Sequence, residues 1–383
     1  MDRRLFLQST LAAGVSAAAP SAFAAGPLKV AVMIPQSGPA GLFGPSSKAC
    51  AEMAVATLNA RGGILGRQVE ALFGDAGLAP AEAGQAALKL WKGSKAEAVI
   101  GMHDSAVRGA LVGLFKGQVP YFYTPVYEGG ECAKGTYVKG ETPEQQLEPV
   151  IPWLAAERKP TKWYLIGNDY IWGRNTNAAA KKYIAKTGAK VVGDEYLPFT
   201  VDNFDASLAR IRDSGADAVL VSLVGGASVT FNKAFSSFGL ADKALRLGTL
   251  IEENTLAGIG FANARNLYSS SGYFASVDTP AAKAFAADYA KRYGANAPAL
   301  NGLAESTYEG FLMLEAIARR AGSLDTVKMD AASEGTSYSG PRGTATIKAR
   351  HVEQDIYVAD VTDKGFRVVK TFPKVGSGQT CKV

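Results

Sequence analysis

From Leu28 onward the chain alternates short apolar runs with longer segments of helical period, and it does so in two successive series. Runs that stay apolar at consecutive positions suit strands buried on both faces. Parallel strands of that kind need a crossover helix between them. In the first series strands are predicted at 28–34, 68–73, 96–100 and 119–123, with helices at 46–60, 79–91 and 105–115. A polar, glycine-rich stretch at 128–135 interrupts the pattern and leads into a short extended run at 136–139. The second series has helices at 143–157, 173–186, 204–214 and 227–238, strands at 162–166, 190–196, 218–223 and 245–250, and a short helix after Glu253. The last third departs from it, with an extended run at 266–271, helices at 280–293 and 303–321, and strands near 344–349, 354–360 and 367–371. The pattern predicts an α/β fold of two Rossmann-like lobes with parallel-core sheets. Extended stretches near 136–140, 267–273 and 338–345 would serve as three hinge crossings, which makes a clamshell. The expected lobes are 27–140 with 272–340, and 141–271 with 341–383.

Residues 1–24 stand apart. Arg3-Arg4 precede a modest apolar run from Leu11 to Ala19, and Ala22-Phe23-Ala24 has the small-x-small pattern of a signal-peptidase site. The segment reads as a signal peptide of the twin-arginine type, which would place the mature chain in the periplasm. No later stretch reaches about 18 consecutive apolar residues, so no membrane-embedded segment is expected there. The formal net charge of +6 is spread in singles such as Lys48, Lys95, Lys139 and Lys233. Without a basic run and interleaved aromatics, nucleic acid is not an expected partner. Cys50 lies in a helical apolar pattern and reads as a buried thiol. Cys132 and Cys381 lie in polar, loop-like stretches, where an oxidising compartment favours joining them.

Catalytic signatures are scarce. The chain has two histidines, His103 and His351, and neither a Cys/His cluster at zinc spacing, an H-E-x-x-H, nor a G-x-S-x-G. His103-Asp104-Ser105 holds the residue types of a triad, but triad geometry is assembled from separate elements. Gly62-Gly63-Ile64-Leu65-Gly66 follows a helix and precedes a strand, the reverse of a dinucleotide loop, and reads as a helix cap and turn. No catalytic residue, metal or cofactor is therefore expected, and an exported enzyme is the lesser alternative.

Ligands of such sheets bind at the carboxyl ends of the strands. There the first series offers the glycine-rich loop from Gln36 to Gly44, containing Ser37, then Gly101-Met102-His103-Asp104-Ser105, then Tyr121-Phe122-Tyr123. The second series offers Tyr170 and Trp172 at a helix start, the small residues around Gly225, and Glu252-Glu253. Rings with polar edges suit the covering of a small ligand. A buried acid such as Glu252 suits an ammonium or an amide NH2.

These residues also carry a family resemblance. Asn59-Ala60-Arg61-Gly62-Gly63-Ile64-Leu65-Gly66-Arg67, leading to Asp75, resembles the type I periplasmic-binding-protein receptors of branched-chain-amino-acid-type ABC importers. Tyr127-Glu128-Gly129-Gly130-Glu131-Cys132, and Gly167-Asn168-Asp169-Tyr170 with Arg174 and Asn177, resemble the narrower branch of urea and short-chain-amide receptors. The resemblance implies a solute receptor that closes on its ligand and docks, as a monomer, on an inner-membrane ABC permease. A periplasmic sensor subunit is the alternative. From the amide branch it carries a serine onto Ser105 and tyrosines onto Tyr123 and Tyr170. Two further tyrosines fall on His103 and Trp172, which depart from that pattern. The loop at Ser37 is closer to the amino-acid receptors, where Glu252 or Glu253 would meet the ammonium. Amide, urea, amino acid and small aromatic acid all remain open as ligands.

Overall fold

The computed structural model describes residues 26–381; the expected signal peptide lies outside them. The first series forms β1 (Leu28–Ile34), β2 (Val69–Asp75), β3 (Ala98–Gly101), β4 (Tyr121–Tyr123) and β5 (Thr136–Val138). Its crossovers are α1 (Gly44–Ala60), α2 (Pro80–Leu88) and α3 (Ser105–Phe115). Next come α4 (Pro143–Gln146) and α5 (Val150–Arg158). The second series forms β6 (Lys162–Asn168), β7 (Lys190–Leu197), β8 (Ala218–Ser222), β9 (Leu245–Gly248) and β10 (Leu267–Ser271). Between them run α6 (Ile171–Lys186), α7 (Asp205–Asp213), α8 (Gly225–Ser237) and α9 (Glu253–Ile259). The chain ends with α10 (Pro280–Tyr293), α11 (Gly302–Ala321), α12 (Thr326–Ser333), β11 (Ser337–Gly340), β12 (Gly343–Lys348), β13 (His351–Thr362) and β14 (Gly365–Val375).

The strands follow one path, β2-β1-β3-β4-β5-β13-β10-β9-β8-β6-β7, parallel within each series as the crossover helices require. β13 stands between the two series. It meets β5 at His351↔Val138, then runs antiparallel to β10 from Tyr357 to Asp360.

Two expectations are corrected. The helix predicted over 143–157 is two helices, because Pro149 has no N–H to continue the first. The third crossing is not at 338–345. β11 and β12 form a hairpin that pairs with the start of β13 beside the first sheet, so the chain passes between the sheets inside β13. A turn at Gly340-Pro341-Arg342 ends a strand in either arrangement, and only the pairing partner tells them apart.

α11 is buried on nearly every face and carries Glu305 and Glu309 into the interior. They belong to a buried polar cluster at the crossings. Arg342 donates to Glu305 Oε2 and to Glu141, to Gln354 Oε1 at 2.9 Å and to the Gly302 carbonyl at 3.0 Å. Lys139 donates to Gln354 Oε1 at 2.7 Å and lies 3.2 Å from Glu309. The Gly272 N–H donates to Glu141 at 2.7 Å. Lys139 and Glu141 follow β5, Gly272 follows β10 and Gln354 lies in β13, so the cluster joins all three crossings. Three carboxyls face two cations there. Burial, reinforced by Glu309, lifts Glu305 to about 8, so it is the carboxyl that keeps its proton at neutral pH.

Cys132 and Cys381 are joined by a disulfide, with Cα atoms 5.3 Å apart, and Cys50 is a buried free thiol. The disulfide pins the segment after β14 against the 128–132 loop, where Gln379 accepts from the Gly130 N–H at 2.7 Å.

Candidate functional site

The two lobes meet over the carboxyl ends of their strands. Gly225 opens α8 with φ +54°, and a Cβ built there would stand 2.2 Å from the Pro39 carbonyl oxygen of the other lobe. Between the lobes lies a small cavity. From the first lobe it is lined by Pro35, Ala40 and Phe43, by Met102 to Ser105, and by Tyr123, Pro125 and Val126. From the second come Tyr170, Trp172, Val224 and Leu250; Leu303, at the start of α11, completes the lining. The space they leave is about 30 Å³, room for roughly one or two waters. A larger solute enters only as the walls part.

The first wall is fixed by the start of α3. Asp104 is its N-cap and accepts from the N–H groups of Ala106 at 2.8 Å and Val107 at 2.9 Å. Ser105 donates to Glu128 Oε2 at 2.6 Å, and Glu128 Oε1 is held by Arg108 Nη2 at 2.6 Å. Arg108 Nε also lies 3.2 Å from Glu131. Tyr123 donates to the His103 carbonyl at 2.8 Å. Both nitrogens of His103 are engaged, Nδ1 with the Asp104 carbonyl and Nε2 with the Tyr121 hydroxyl.

The second wall differs. Tyr170 packs on Phe199, ring centroids 4.6 Å apart, and lies beside Trp172. Among the described residues, neither the Tyr170 O–H nor the Trp172 indole N–H has a hydrogen-bond partner. Burial, with Tyr123 and Asp104 opposite, pushes the Tyr170 phenol well up, so it keeps its proton as a donor.

Of the residues expected at the site, His103, Ser105, Tyr123, Tyr170 and Trp172 are brought together here. Three are not. The Ser37 hydroxyl donates to Asp75 at 2.7 Å, which fastens its loop to the end of β2. Gly225 forms the seam between the lobes instead of the cavity wall. Glu252 is the N-cap of α9, accepting from Asn254 N–H at 2.7 Å and from the N–H and hydroxyl of Thr255 at 2.7 and 2.8 Å. Its carboxylate is thus spent, and it borders only a smaller space beside Thr249 and Ser271. Glu253 accepts from the Ala275 N–H and faces another groove. Asp104 lies in the loop that the sequence offers to the ligand, and its capping role accords with an Asp ahead of a helical apolar pattern. Phe43, Leu250 and Leu303 carried no signal beyond their apolarity.

Both histidines are buried and neutral, with pKa values lowered to about 4, chiefly by burial, from 6.5. Between those values the unfolded chain binds more protons, so this stability is full above 6.5 and is lost as the pH falls towards 4. We expect unfolding free energy to drop across that window by at most about 3 kcal/mol per histidine. Denaturant titrations at pH 7 and pH 4.5 check this, and a flatter slope is expected for His351→Gln.

The sequence profile described as periplasmic binding protein matches residues 27–366. Leu/Ile/Val-binding protein homolog 6 of Brucella melitensis biotype 1 is 28% identical over 381 residues, covering 95% of this chain and 96% of the relative. A solute binding protein of an ABC transporter from R. palustris, solved in complex with 4-hydroxybenzoate, superposes with a TM-score of 0.84. It is 25% identical, with 92% of this chain and 98% of that chain covered. The closed leucine-, isoleucine-, valine-, threonine- and alanine-binding protein of Brucella ovis shares the fold, with a TM-score of 0.81 at 20% identity over 94% of this chain and 100% of that one.

Proposed function

The chain belongs to the periplasmic binding protein family, and from that premise we propose that it is the solute-binding component of an ABC import system for a small neutral solute of the amide or urea type. The family and its structural neighbours are solute receptors rather than enzymes, and the family works outside the cytoplasm. Among the described residues, no helix is long and apolar enough to cross a membrane. The finer reading is a periplasmic monomer, exported by a twin-arginine leader, that hands its ligand to an inner-membrane permease. Its lobes are 27–140 with 272–340, and 141–271 with the rest, the 341–350 segment excepted because it pairs beside the first sheet.

The observation that carries the ligand class is the opposite polarity of the two walls. Asp104, Ser105 and Tyr123 present acceptors, while Tyr170 and Trp172 present unspent donors, in an otherwise apolar cavity. An amide offers NH2 to one side and a carbonyl oxygen to the other. Asp104, Glu128 and Glu131 outnumber Arg108 beside the cavity, which disfavours a carboxylate. With Glu252 spent, an amino-acid ammonium would have to meet Asp104. A small aromatic acid is the second reading, favoured by the rings of Phe43, Tyr123, Tyr170 and Trp172 and by the 4-hydroxybenzoate in the R. palustris protein.

A thermal-shift screen of refolded, ligand-stripped protein separates these readings. A true ligand at 100 times its Kd stabilises by about 2.7 kcal/mol. Amides or ureas are expected to shift the melting point; hits confined to aromatic acids or amino acids would replace the ligand class. Tyr170→Ala is expected to weaken binding at least about tenfold, or about 1.4 kcal/mol, and an unchanged affinity would remove Tyr170 from the site. Solute uptake by cells lacking the protein distinguishes transport from sensing.

A further inference from the structure

The hydroxyl hydrogens of the first wall are committed inside the protein. Ser105 gives its hydrogen to Glu128, and Tyr123 gives its own to the His103 carbonyl. A hydroxyl has one hydrogen, and once that is placed only lone pairs remain; one of those on Ser105 Oγ faces Arg108 Nη1 at 3.5 Å, and the other is left for a ligand. Glu128 does not line the cavity. Its side chain is 2% exposed and sits behind Ser105, with Arg108 on its other oxygen. Arg108 is itself held by Glu131 and by the rings of Tyr123 and Tyr127, 5.2 and 4.7 Å away. A carboxylate clamped by an arginine has no hydrogen to return, so the Ser105–Glu128 bond runs one way.

We infer that Glu128 is a specificity-determining residue acting through Ser105: by taking the Ser105 hydrogen it makes the first wall acceptor-only, and so selects solutes presenting an N–H there over isosteric carboxylates. The inference rests on the cavity being the solute site and deepens that reading. A carboxylate oxygen placed against Ser105 would face lone pairs with no hydrogen between, whereas an amide NH2 supplies the missing hydrogen. The class of solute is thus set by a buried residue that never touches it. Glu128 is a positioning residue, and its effect is legible only in the choice between ligands.

Isothermal titration of benzamide against benzoate, and of acetamide against acetate, tests this in the wild type, Glu128→Gln, Ser105→Ala and the double variant. Gln carries an NH2 that donates to Ser105 and frees the hydroxyl hydrogen to turn toward the cavity. The amide-to-carboxylate affinity ratio is expected to fall about tenfold in Glu128→Gln. Most of that shift should vanish in the Ser105→Ala background, where no hydroxyl remains to be re-aimed. A shift of equal size with and without Ser105, or an unchanged ratio in Glu128→Gln, would overturn the inference. If Glu128→Gln does not fold, Ser105→Ala decides alone: a loss confined to the amides supports it, and an equal loss for both classes sinks it. Wild-type protein that binds none of the four compounds removes the amide reading first, and the role of Glu128 with it.

Discussion

Arg342→Met is expected to destabilise the folded chain by about 3–5 kcal/mol, and to lower the melting temperature by about 4–7 °C for a chain of this size. Arg342 is the group that Glu141 and Glu305 both face, and its own side chain is 1% exposed. Removing it leaves buried carboxyls against Lys139 alone, with the Gly302 carbonyl and Gln354 each short of a donor. A charge stranded in a buried site costs far more than the pair contributed. The companion variant, Arg342→Met with Glu141→Gln, removes the cation together with its ionised partner and keeps an acceptor for the Gly272 N–H, so it should recover most of the loss. Denaturant titration of both variants checks the argument. A cost below about 1 kcal/mol for the single variant would mean that water reaches the cluster.

The second large effect is on binding. Gly225→Ala is expected to weaken the Kd for the solute by roughly 30-fold or more, about 2 kcal/mol, because two or three contacts from the second wall are lost together. The added Cβ would stand 2.2 Å from the Pro39 carbonyl. That atom is backbone and cannot swing aside, so the lobes must stay apart. Alanine at φ +54° also carries left-handed strain of about 1–2 kcal/mol, and Gly239→Ala isolates this, since Gly239 has φ +71° with nothing nearby. The control should lose stability and keep affinity, whereas Gly225→Ala loses both. Small-angle scattering should find Gly225→Ala equally extended with and without ligand. A ligand-induced contraction in that variant would refute the seam.

The element pattern was readable because burial on both faces writes itself into consecutive apolar positions such as Ala98–Gly101 and Ala218–Ser222. The cavity was partly readable for the same reason: strand ends place Ser105 and Tyr123 on one wall and Tyr170 and Trp172 on the wall that faces it. What failed were questions of allocation. Ser37 and Glu252 have the right chemistry and the right addresses, but Asp75 and the α9 backbone use them up. Glu128 has no cavity address at all, yet it fixes what Ser105 can do. Such allocations depend on partners brought near by the fold, and no local pattern records them. The place of β13 is of the same kind, because a strand looks alike whichever neighbour it joins.

The position of β13 bears on how the chain is made. Its first residue is His351, yet it fills the middle of the sheet path. A ribosome must therefore emit every strand of both series before β5 and β10 have the partner that stands between them. Until then the open edges of β5 and β10 wait side by side, as templates for any extended segment nearby. Neither half is one uninterrupted stretch of chain, so neither can finish folding during synthesis while the other lags. The sheet path therefore closes only once residues 351–362 are available to stand between β5 and β10.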